Sequence, residues 1–413
     1  MRIALIGPAH PYKGGGARHT TELAHRLAAA GHDVVIESWR AMYPAALYPG
    51  MQTVEEAEGE PYPLTRRLLS WRRPDGWLRT GRRLRGSCDL AVFAFLAPVQ
   101  VPAYLGIMRG MRRGGAAAAP AAVVICHNVR PHERRPGDVQ LTRALLRRAD
   151  GIVTHTERLA RVARELAPGT PVWVAGLPPH LPAVPALGAS APCGDTRDSD
   201  GPEHPGALRA VRPLAAVTDQ PAEPASAGRP AAPLHLLFFG IVRPYKGLDV
   251  LLRAMARTEC GPTLTLTVAG EFWGGLDGTR ALVSELGLGQ RVELRPGYVR
   301  AGEIGALLRR ADALVLPYRW ATASQNAWLA FSHGVPVIAT RAGSFAEQIS
   351  DGVDGLLCEP GDEASLAVAL RRFGEPGVAE RLRSGVKPVE PRALWETYLK
   401  TLLAAASPGT PPA

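Results

Sequence analysis

Residues 236–252 read LLFFGIVRPYKGLDVLL, and this run decides the fold class. An apolar strand precedes Gly240, a turn carrying Arg243 and Lys246 follows it, and a helix is predicted from Gly247. Two cations in a strand-to-helix turn, beside free backbone N–H groups, are suited to binding a diphosphate. Only four of the 48 basic residues are lysines. A lysine where a point charge on phosphate would serve is therefore informative.

The same alternation of strand and helix continues on both sides of this run. It predicts an α/β protein with two Rossmann-like, doubly wound parallel-sheet domains that face each other across a cleft. Ligand sites are then expected at the carboxyl ends of the strands. The predicted strands are residues 3–6, 34–37, 90–95, 122–126, 151–154, 172–174, 234–239, 264–269, 292–295, 313–316, 335–339 and 355–357.

A change of composition separates the two domains. Residues 187–233 are rich in Pro, Ala and Gly and contain no Ile, Phe, Tyr or Trp. Such a segment buries too little apolar area to offset its ordering entropy, so it is predicted to be a disordered insert. The N-terminal domain is then residues 1–186 and the C-terminal domain residues 234–388. Residues 389–413 are predicted to form a last helix followed by a tail.

Composition limits the class of protein. A chain of 413 residues with 46% hydrophobic and 21% charged residues is globular in composition and is long enough for two domains. No apolar run approaches the roughly 20 residues of a membrane span. The five cysteines show no CxxC spacing, which argues against a disulfide framework or a structural zinc site. Residues 2–6 are interpreted as a first strand and not as a signal peptide, and a cytoplasmic location is expected.

The net charge of +10 is unevenly distributed. Residues 1–186 hold 25 basic and 14 acidic side chains, a surplus of 11, whereas the rest of the chain is nearly balanced. A basic N-terminal half suggests an anionic partner, which is a phosphorylated acceptor, an acidic membrane surface or nucleic acid.

Several stretches resemble glycosyltransferase family 4, the group 1 glycosyltransferases. The resemblance covers roughly residues 1–180 and 234–372, and its most specific motifs lie in the C-terminal half. Besides the opening run, they are MRIALIGPAHPYKGGGARHTTELAHRLAAAGHDVVI (1–36), VVICHNVRPHERRPGD (123–138), LPYRWATASQNAWLAFSHGVPVIAT (316–340) and DGVDGLLCEPGD (351–362).

The resemblance implies a GT-B fold and a reaction. The C-terminal domain would hold a nucleotide-sugar donor, and the N-terminal domain would hold a glycan, lipid or small-molecule acceptor. Transfer to an acceptor hydroxyl would retain the anomeric configuration and need neither a metal ion nor a cofactor. The last helix, about residues 391–405, would pack back on the first domain.

Three residues are predicted to be catalytic. Negative charge builds on the departing diphosphate, and Arg243 and Lys246 would stabilise it. In the commonest form of the family the arginine follows the glycine directly, whereas here it comes three positions after Gly240. By resemblance, His127 would contact the donor sugar near the reacting carbon; the alternative is a strand-end histidine with a structural role.

The family's two donor-binding glutamates are absent. Their positions are occupied by Ala321 and Leu329. Hydroxyl and amide groups at a helix N-terminus would contact the donor instead, although simple N-capping would explain the same residues. They are Thr322, Ser324, Gln325 and Asn326.

A glycine loop follows the first strand. Gly14, Gly15 and Gly16 allow close backbone approach, and Gly15 and Gly16 are predicted to bind the donor. Lys13 adds a cation to this loop, whereas His19 is expected on the helix surface. The G-x-G-x-x-G fingerprint is missing, so a nicotinamide site is disfavoured.

Carboxylates and a loop complete the predicted site. Glu271, after a strand, and Glu347, after a glycine turn, are predicted to contact the donor. A helix-capping role is the alternative for Glu271. His132 and Glu133 are expected to help bind the acceptor.

Residues 64–85, LTRRLLSWRRPDGWLRTGRRLR, interleave tryptophan and leucine with eight arginines. This pattern suits peripheral contact with an anionic membrane. An arginine-rich helix exterior with its apolar stripe in the core is the more favoured interpretation. No recognition motif accompanies the charge, so nucleic acid is not an expected partner.

Two other functions fit the same architecture. One is a nucleotide-sugar epimerase, which would need no acceptor. The other is a non-catalytic sugar-nucleotide-binding relative, which the residues Ala321 and Leu329 favour.

Overall fold

The structure of the protein is a computed structural model. It describes residues 1–44, 52–54, 60–112, 119–129, 135–180, 233–257, 264–321 and 324–407. These residues form two α/β halves, and each half is built on one sheet whose strand pairs are all parallel. The predicted fold class is confirmed.

The first half contains a seven-stranded sheet in the order β3-β2-β1-β4-β5-β6-β7. Its strands are β1 (Arg2–Ile6), β2 (Asp33–Ala41), β3 (Thr65–Ser70), β4 (Leu90–Phe95), β5 (Ala121–Cys126), β6 (Gly151–Thr154) and β7 (Val172–Val174). Its helices are α1 (Gly15–Ala29), α2 (Pro74–Ser87), α3 (Val101–Arg112), α4 (Asp138–Leu146) and α5 (Glu157–Leu166).

The second half contains a six-stranded sheet in the order β10-β9-β8-β11-β12-β13. Its strands are β8 (Leu234–Phe239), β9 (Leu264–Gly270), β10 (Val292–Pro296), β11 (Ala313–Leu316), β12 (Val337–Thr340) and β13 (Gly355–Cys358). Its helices are α6 (Leu248–Arg257), α7 (Leu276–Glu285), α8 (Ala301–Arg310), α9 (Asn326–Ser332), α10 (Phe345–Gln348), α11 (Glu363–Phe373) and α12 (Val378–Gly385).

The last helix, α13 (Pro391–Ala404), returns to the first half. Its Trp395, Tyr398 and Leu402 are buried in one apolar cluster with Ile3 and Leu5 of β1. The helix therefore covers one face of the first sheet and ties the end of the chain to the N-terminal half, as the resemblance implied.

The segment predicted as a basic helix differs from the expectation. It forms edge strand β3 followed by α2, which begins at Pro74, a residue suited to the first turn of a helix. Helix α2 packs closely on α3, since a Cβ at Gly81 would lie 2.1 Å from the Ile107 carbonyl oxygen. The strand was missed because an edge strand buries few residues; within β3 only Leu69 is buried.

Strand β12 begins two residues later than predicted. Pro336 lacks an N–H donor, so ladder pairing starts at Val337. The predicted insert, residues 187–233, lies outside the described residues except for its last residue, so its disorder stays a prediction. Among the described helices, none combines the length and apolar character that crossing a membrane requires.

Candidate active site

Residues of both halves line two cavities in the cleft, and Lys246 borders both. One cavity, of about 230 Å³, also has Lys13 and Glu271 in its wall. The other, of about 260 Å³, also has His127 and Asn326 in its wall. The carboxyl ends of β5, β8 and β9 supply these walls, which is where a parallel sheet places its ligand sites.

Lys246 lies at the end of a short 3-10 turn, residues 244–246, between β8 and α6. The next residue, Gly247, has a φ of +68°, a left-handed conformation that favours glycine. The lysine is buried, and its Nζ lies 5.4 Å from the centroid of the Tyr318 ring. Burial lowers the pKa of Lys246. No described carboxylate forms an ion pair with it, so an anionic ligand would supply the missing charge.

Arg243 lies at a different cavity from Lys246. Its backbone is extended, at the start of the 3-10 turn. Its guanidinium lies 4.8 Å from the centroid of the Trp273 ring and 5.9 Å from that of Tyr245. Besides burial, the Arg243 charge lowers the pKa of Lys246, so the two cations lie within electrostatic reach of each other. Donor contact by Arg243 stays a prediction.

Ion pairing joins the two halves at the first cavity. Lys13 Nζ donates to both carboxylate oxygens of Glu271, at 2.7 and 2.9 Å. The lysine side chain is 4% exposed and the glutamate 19%. Glu271 follows β9, as expected, but its partner here is the cation of the glycine loop, a pairing that the sequence did not indicate.

The glycine loop opens α1 and faces both cavities. Gly15 lines both of them and Gly16 lines the second. A Cβ at Gly16 would lie 2.3 Å from Leu96 Cδ2, so only glycine fits there without displacing that side chain. The loop therefore borders both cavities, and donor contact by Gly15 and Gly16 stays a prediction.

The polar residues around α9 have two different roles. Asn326 Nδ2 donates to the Phe239 carbonyl oxygen at 3.2 Å, and Ser324 Oγ accepts from the Asn326 N–H at 3.3 Å. Gln325 reaches the other half instead: its Oε1 accepts from the His180 N–H at 3.1 Å, and its Nε2 donates to the Pro178 carbonyl oxygen at 3.0 Å.

Ser324, Gln325 and Asn326 all line the second cavity. Thr322, His132 and Glu133 lie outside the described residues. Glu347 is exposed in α10 and is not part of either cavity wall.

The positions of the two missing glutamates border the cavities. Ala321 lines the second cavity and Leu329 the first. An acidic side chain at either position would face the cleft. The substitutions therefore change the walls of the candidate site and not a remote surface.

Four buried histidines form a cluster beside the two cavities: His19, His127, His155 and His180. His155 Nε2 lies 3.1 Å from His127 Nδ1, and His19 Nδ1 lies 3.3 Å from His180 Nε2. Burial lowers the pKa of all four, of His155 to about 4 and of His180 to about 3. These side chains are therefore neutral near pH 7.

The expectation that His19 lies on the surface of α1 is wrong. Its side chain is fully buried, with Nε2 3.0 Å from the Tyr398 hydroxyl of α13. His155 and His180 were missed. His155 directly follows β6 as His127 directly follows β5, and the two strands are neighbours, so strand-end position was a usable signal.

Comparisons with known proteins agree with this fold. Solved glycosyltransferase structures match the whole chain, and the architecture is GT-B. Sucrose-phosphate synthase from Thermosynechococcus elongatus matches with a TM-score of 0.67 at 18% identity, over 98% of this chain and 100% of that one. HepE from Anabaena, solved with UDP-glucose, matches with a TM-score of 0.63 at 14% identity, over 97% and 99%.

Residues 233–375 match the family model described as Glycosyl transferases group 1. The chain thus contains a domain of that family, and the predicted resemblance is confirmed. D-inositol 3-phosphate glycosyltransferase from Thermobifida fusca is 33% identical over 188 residues, 43% of each chain. Glycogen synthase from Mycobacterium tuberculosis is 33% identical over 165 residues, 38% of each chain. The alignments thus span less than half the length of these curated relatives.

Proposed function

We propose that the protein is a retaining glycosyltransferase of family 4. It moves a sugar from a nucleotide-sugar donor to an acceptor hydroxyl without a metal ion or a cofactor. The observation that carries the proposal is Lys246, a buried cation without a described carboxylate partner at a strand-to-helix turn of a group 1 domain. A diphosphate is the ligand class that such a turn binds best.

Lys13 supplies a second cation from the opposite half. In the absence of donor, Glu271 neutralises it. A diphosphate entering the first cavity would meet Lys246 on one side and Lys13 on the other. Two cations at the departing diphosphate take the role that a metal ion has in other transferases. Among the described residues, no group of three His, Cys, Asp or Glu side chains is arranged to hold a metal ion.

The acceptor is a glycan, a lipid or a small molecule bound by the N-terminal half, in a cytoplasmic protein. Peripheral contact with an anionic membrane is supported by edge strand β3. Leu64 and Leu68 are exposed beside a row of arginines, and the Arg72 guanidinium lies 5.0 Å from the centroid of the Trp71 ring. Exposed leucine and arginine beside a partly exposed tryptophan suit the headgroup region of an anionic membrane.

A non-catalytic relative that only binds a nucleotide sugar is the second candidate. The apolar Ala321 and Leu329 in the cavity walls favour it, because polar contacts to the donor sugar are lost there. The two candidates differ in turnover and not in binding.

Donor binding and turnover test the proposal in sequence. UDP-, GDP- and dTDP-sugars are screened by thermal shift, and the best binder is then assayed for hydrolysis and for transfer to added acceptors. Lys246→Ala should weaken donor binding about 10- to 100-fold, the effect of losing one charge-assisted contact. Lys400→Ala, on the exposed face of α13, is the matched control and should leave binding unchanged.

Each outcome has a distinct meaning. Binding without turnover would favour the non-catalytic relative, and conversion of the donor sugar without acceptor would favour an epimerase. Equal donor binding by folded Lys246→Ala and by the wild-type protein would remove Lys246 from the site.

A further inference from the structure

The two strand-end histidines are held in one hydrogen-bonded chain. Cys126 at the end of β5 pairs with Thr154 at the end of β6, so the next residues, His127 and His155, lie side by side. His155 Nδ1 lies 3.2 Å from the Ala175 carbonyl oxygen, and His155 Nε2 lies 3.1 Å from His127 Nδ1. The order is therefore carbonyl oxygen, His155, His127.

Proton accounting fixes the tautomer of both rings. A carbonyl oxygen only accepts, so His155 Nδ1 carries the hydrogen. Burial disfavours the charged ring, so His155 is neutral and its Nε2 has a lone pair. His127 Nδ1 must then donate to that lone pair. His127 is also neutral for the same reason, so its Nε2 has a lone pair as well.

This lone pair is not used within the described part of the chain. His127 Nε2 is buried and has no hydrogen-bond partner there. The residue is 8% exposed and lines the second cavity, which Lys246 also lines. A buried acceptor without a partner is costly, so a donor group from a bound molecule is expected at this atom.

We propose that His155 is a positioning residue that holds His127 in the Nδ1–H tautomer. Nε2 of His127 is then the atom that accepts a hydrogen bond from a hydroxyl group in the donor-sugar contact that the family resemblance implies. The inference rests on the proposed function. It makes the site specific for a sugar with a hydroxyl group at that carbon. A carboxylate or a fluorine at the same carbon cannot donate and is disfavoured.

The tautomer is measured directly in the wild-type protein. Long-range ¹H–¹⁵N correlation spectra of protein labelled with ¹⁵N-histidine distinguish the Nδ1–H, Nε2–H and charged forms. The resonances of His127 are assigned by their loss in His127→Gln. The expected result near neutral pH is Nδ1–H for both His127 and His155. An Nε2–H or charged His127 would overturn the proposal without any assay of activity.

Variants of His155 test the positioning role. His155→Gln keeps an acceptor near the position of Nε2 and should preserve the His127 tautomer, whereas His155→Leu should give a tautomer mixture. We expect His155→Leu to weaken donor-sugar binding about tenfold, while the nucleoside diphosphate of the best-binding donor, added alone, binds unchanged. Recovery in His155→Gln is expected, and equal losses in both variants would instead mean a packing role.

Fluorinated donors identify the hydroxyl contact. Analogues of the best-binding nucleotide sugar with fluorine in place of each hydroxyl in turn are compared for binding. Fluorine at one position should weaken binding about 10- to 100-fold in the wild-type protein. The same fluorine should weaken binding little further in His127→Ala, which has already lost the contact. Equal binding of every analogue would contradict the hydroxyl contact and leave the proposed function standing. A wild-type protein that binds no nucleotide sugar would remove the contact and the proposed function together.

Discussion

Mild acid should destabilise this protein through its histidine cluster. The pKa of His155 is lowered by burial to about 4 and that of His180 to about 3, against about 6.5 in an unfolded chain. The unfolded state therefore binds more protons than the folded state over this range. Stability is full above about pH 6.5 and is lost as the pH falls towards the folded pKa values.

The magnitude follows from proton linkage. Between about pH 7.5 and about pH 5.5, one histidine with such a shift removes about 1.4 kcal/mol from the free energy of unfolding. His155 and His180 together remove about 2.7 kcal/mol, and His19 and His127 add to the loss in the same direction. This is a large part of a typical stability of about 5–15 kcal/mol.

Urea unfolding at the two pH values measures the effect. Replacing His180 by Gln should reduce the difference in the free energy of unfolding between the two pH values by about 1.4 kcal/mol. Carboxylates held by ion pairs also contribute to stability, for example Asp89 with its pKa lowered to about 2. Their contribution begins to be lost only below this pH range. A free energy of unfolding that is equal at both pH values would refute the reasoning.

Three further outcomes are expected. Lys13→Met should weaken binding of the nucleoside diphosphate of the best-binding donor, and Glu271→Gln should strengthen it, because the carboxylate competes with the diphosphate for Lys13. Isothermal titration calorimetry checks this, and changes in the same direction in both variants would indicate a purely structural ion pair. Transfer activity should survive EDTA, since cations of the chain take the metal's role; strict dependence on added magnesium would contradict this. Vesicles with anionic lipid should bind the protein at low salt and release it at high salt, where the screening length is about 3 Å. In flotation assays, a variant with serine at Arg67, Leu68 and Arg72 should bind less. Equal binding to neutral vesicles would exclude the proposed surface.

Periodicity predicted most of the sheet architecture because the inner strands are buried on both faces. Strand β4, for example, is entirely buried, and its sequence LAVFAF is a continuous apolar run. The edge strand β3 was not predicted, because it has a single buried residue among its arginines. An edge strand leaves a weak pattern, and its pairing with β2 is a tertiary contact.

His19 shows a signal that was present but depended on a distant partner. It is four residues before Leu23 and eight before Leu27, so it shares the apolar face of α1. A polar side chain on that face can be buried only if a partner reaches it. That partner is the hydroxyl of Tyr398, 379 positions later in the chain, and no local pattern reports such a contact.

The two predicted cations show why motif spacing alone does not place a charge. Arg243 and Lys246 are three residues apart, which suggested a shared ligand. The two side chains line different cavities, although the Arg243 charge still acts on Lys246. The cations that share the first cavity with Lys246 come from the other half, as Lys13 and Arg18. Charge on a diphosphate in this protein would thus be balanced by both halves, so donor binding would also hold the cleft together.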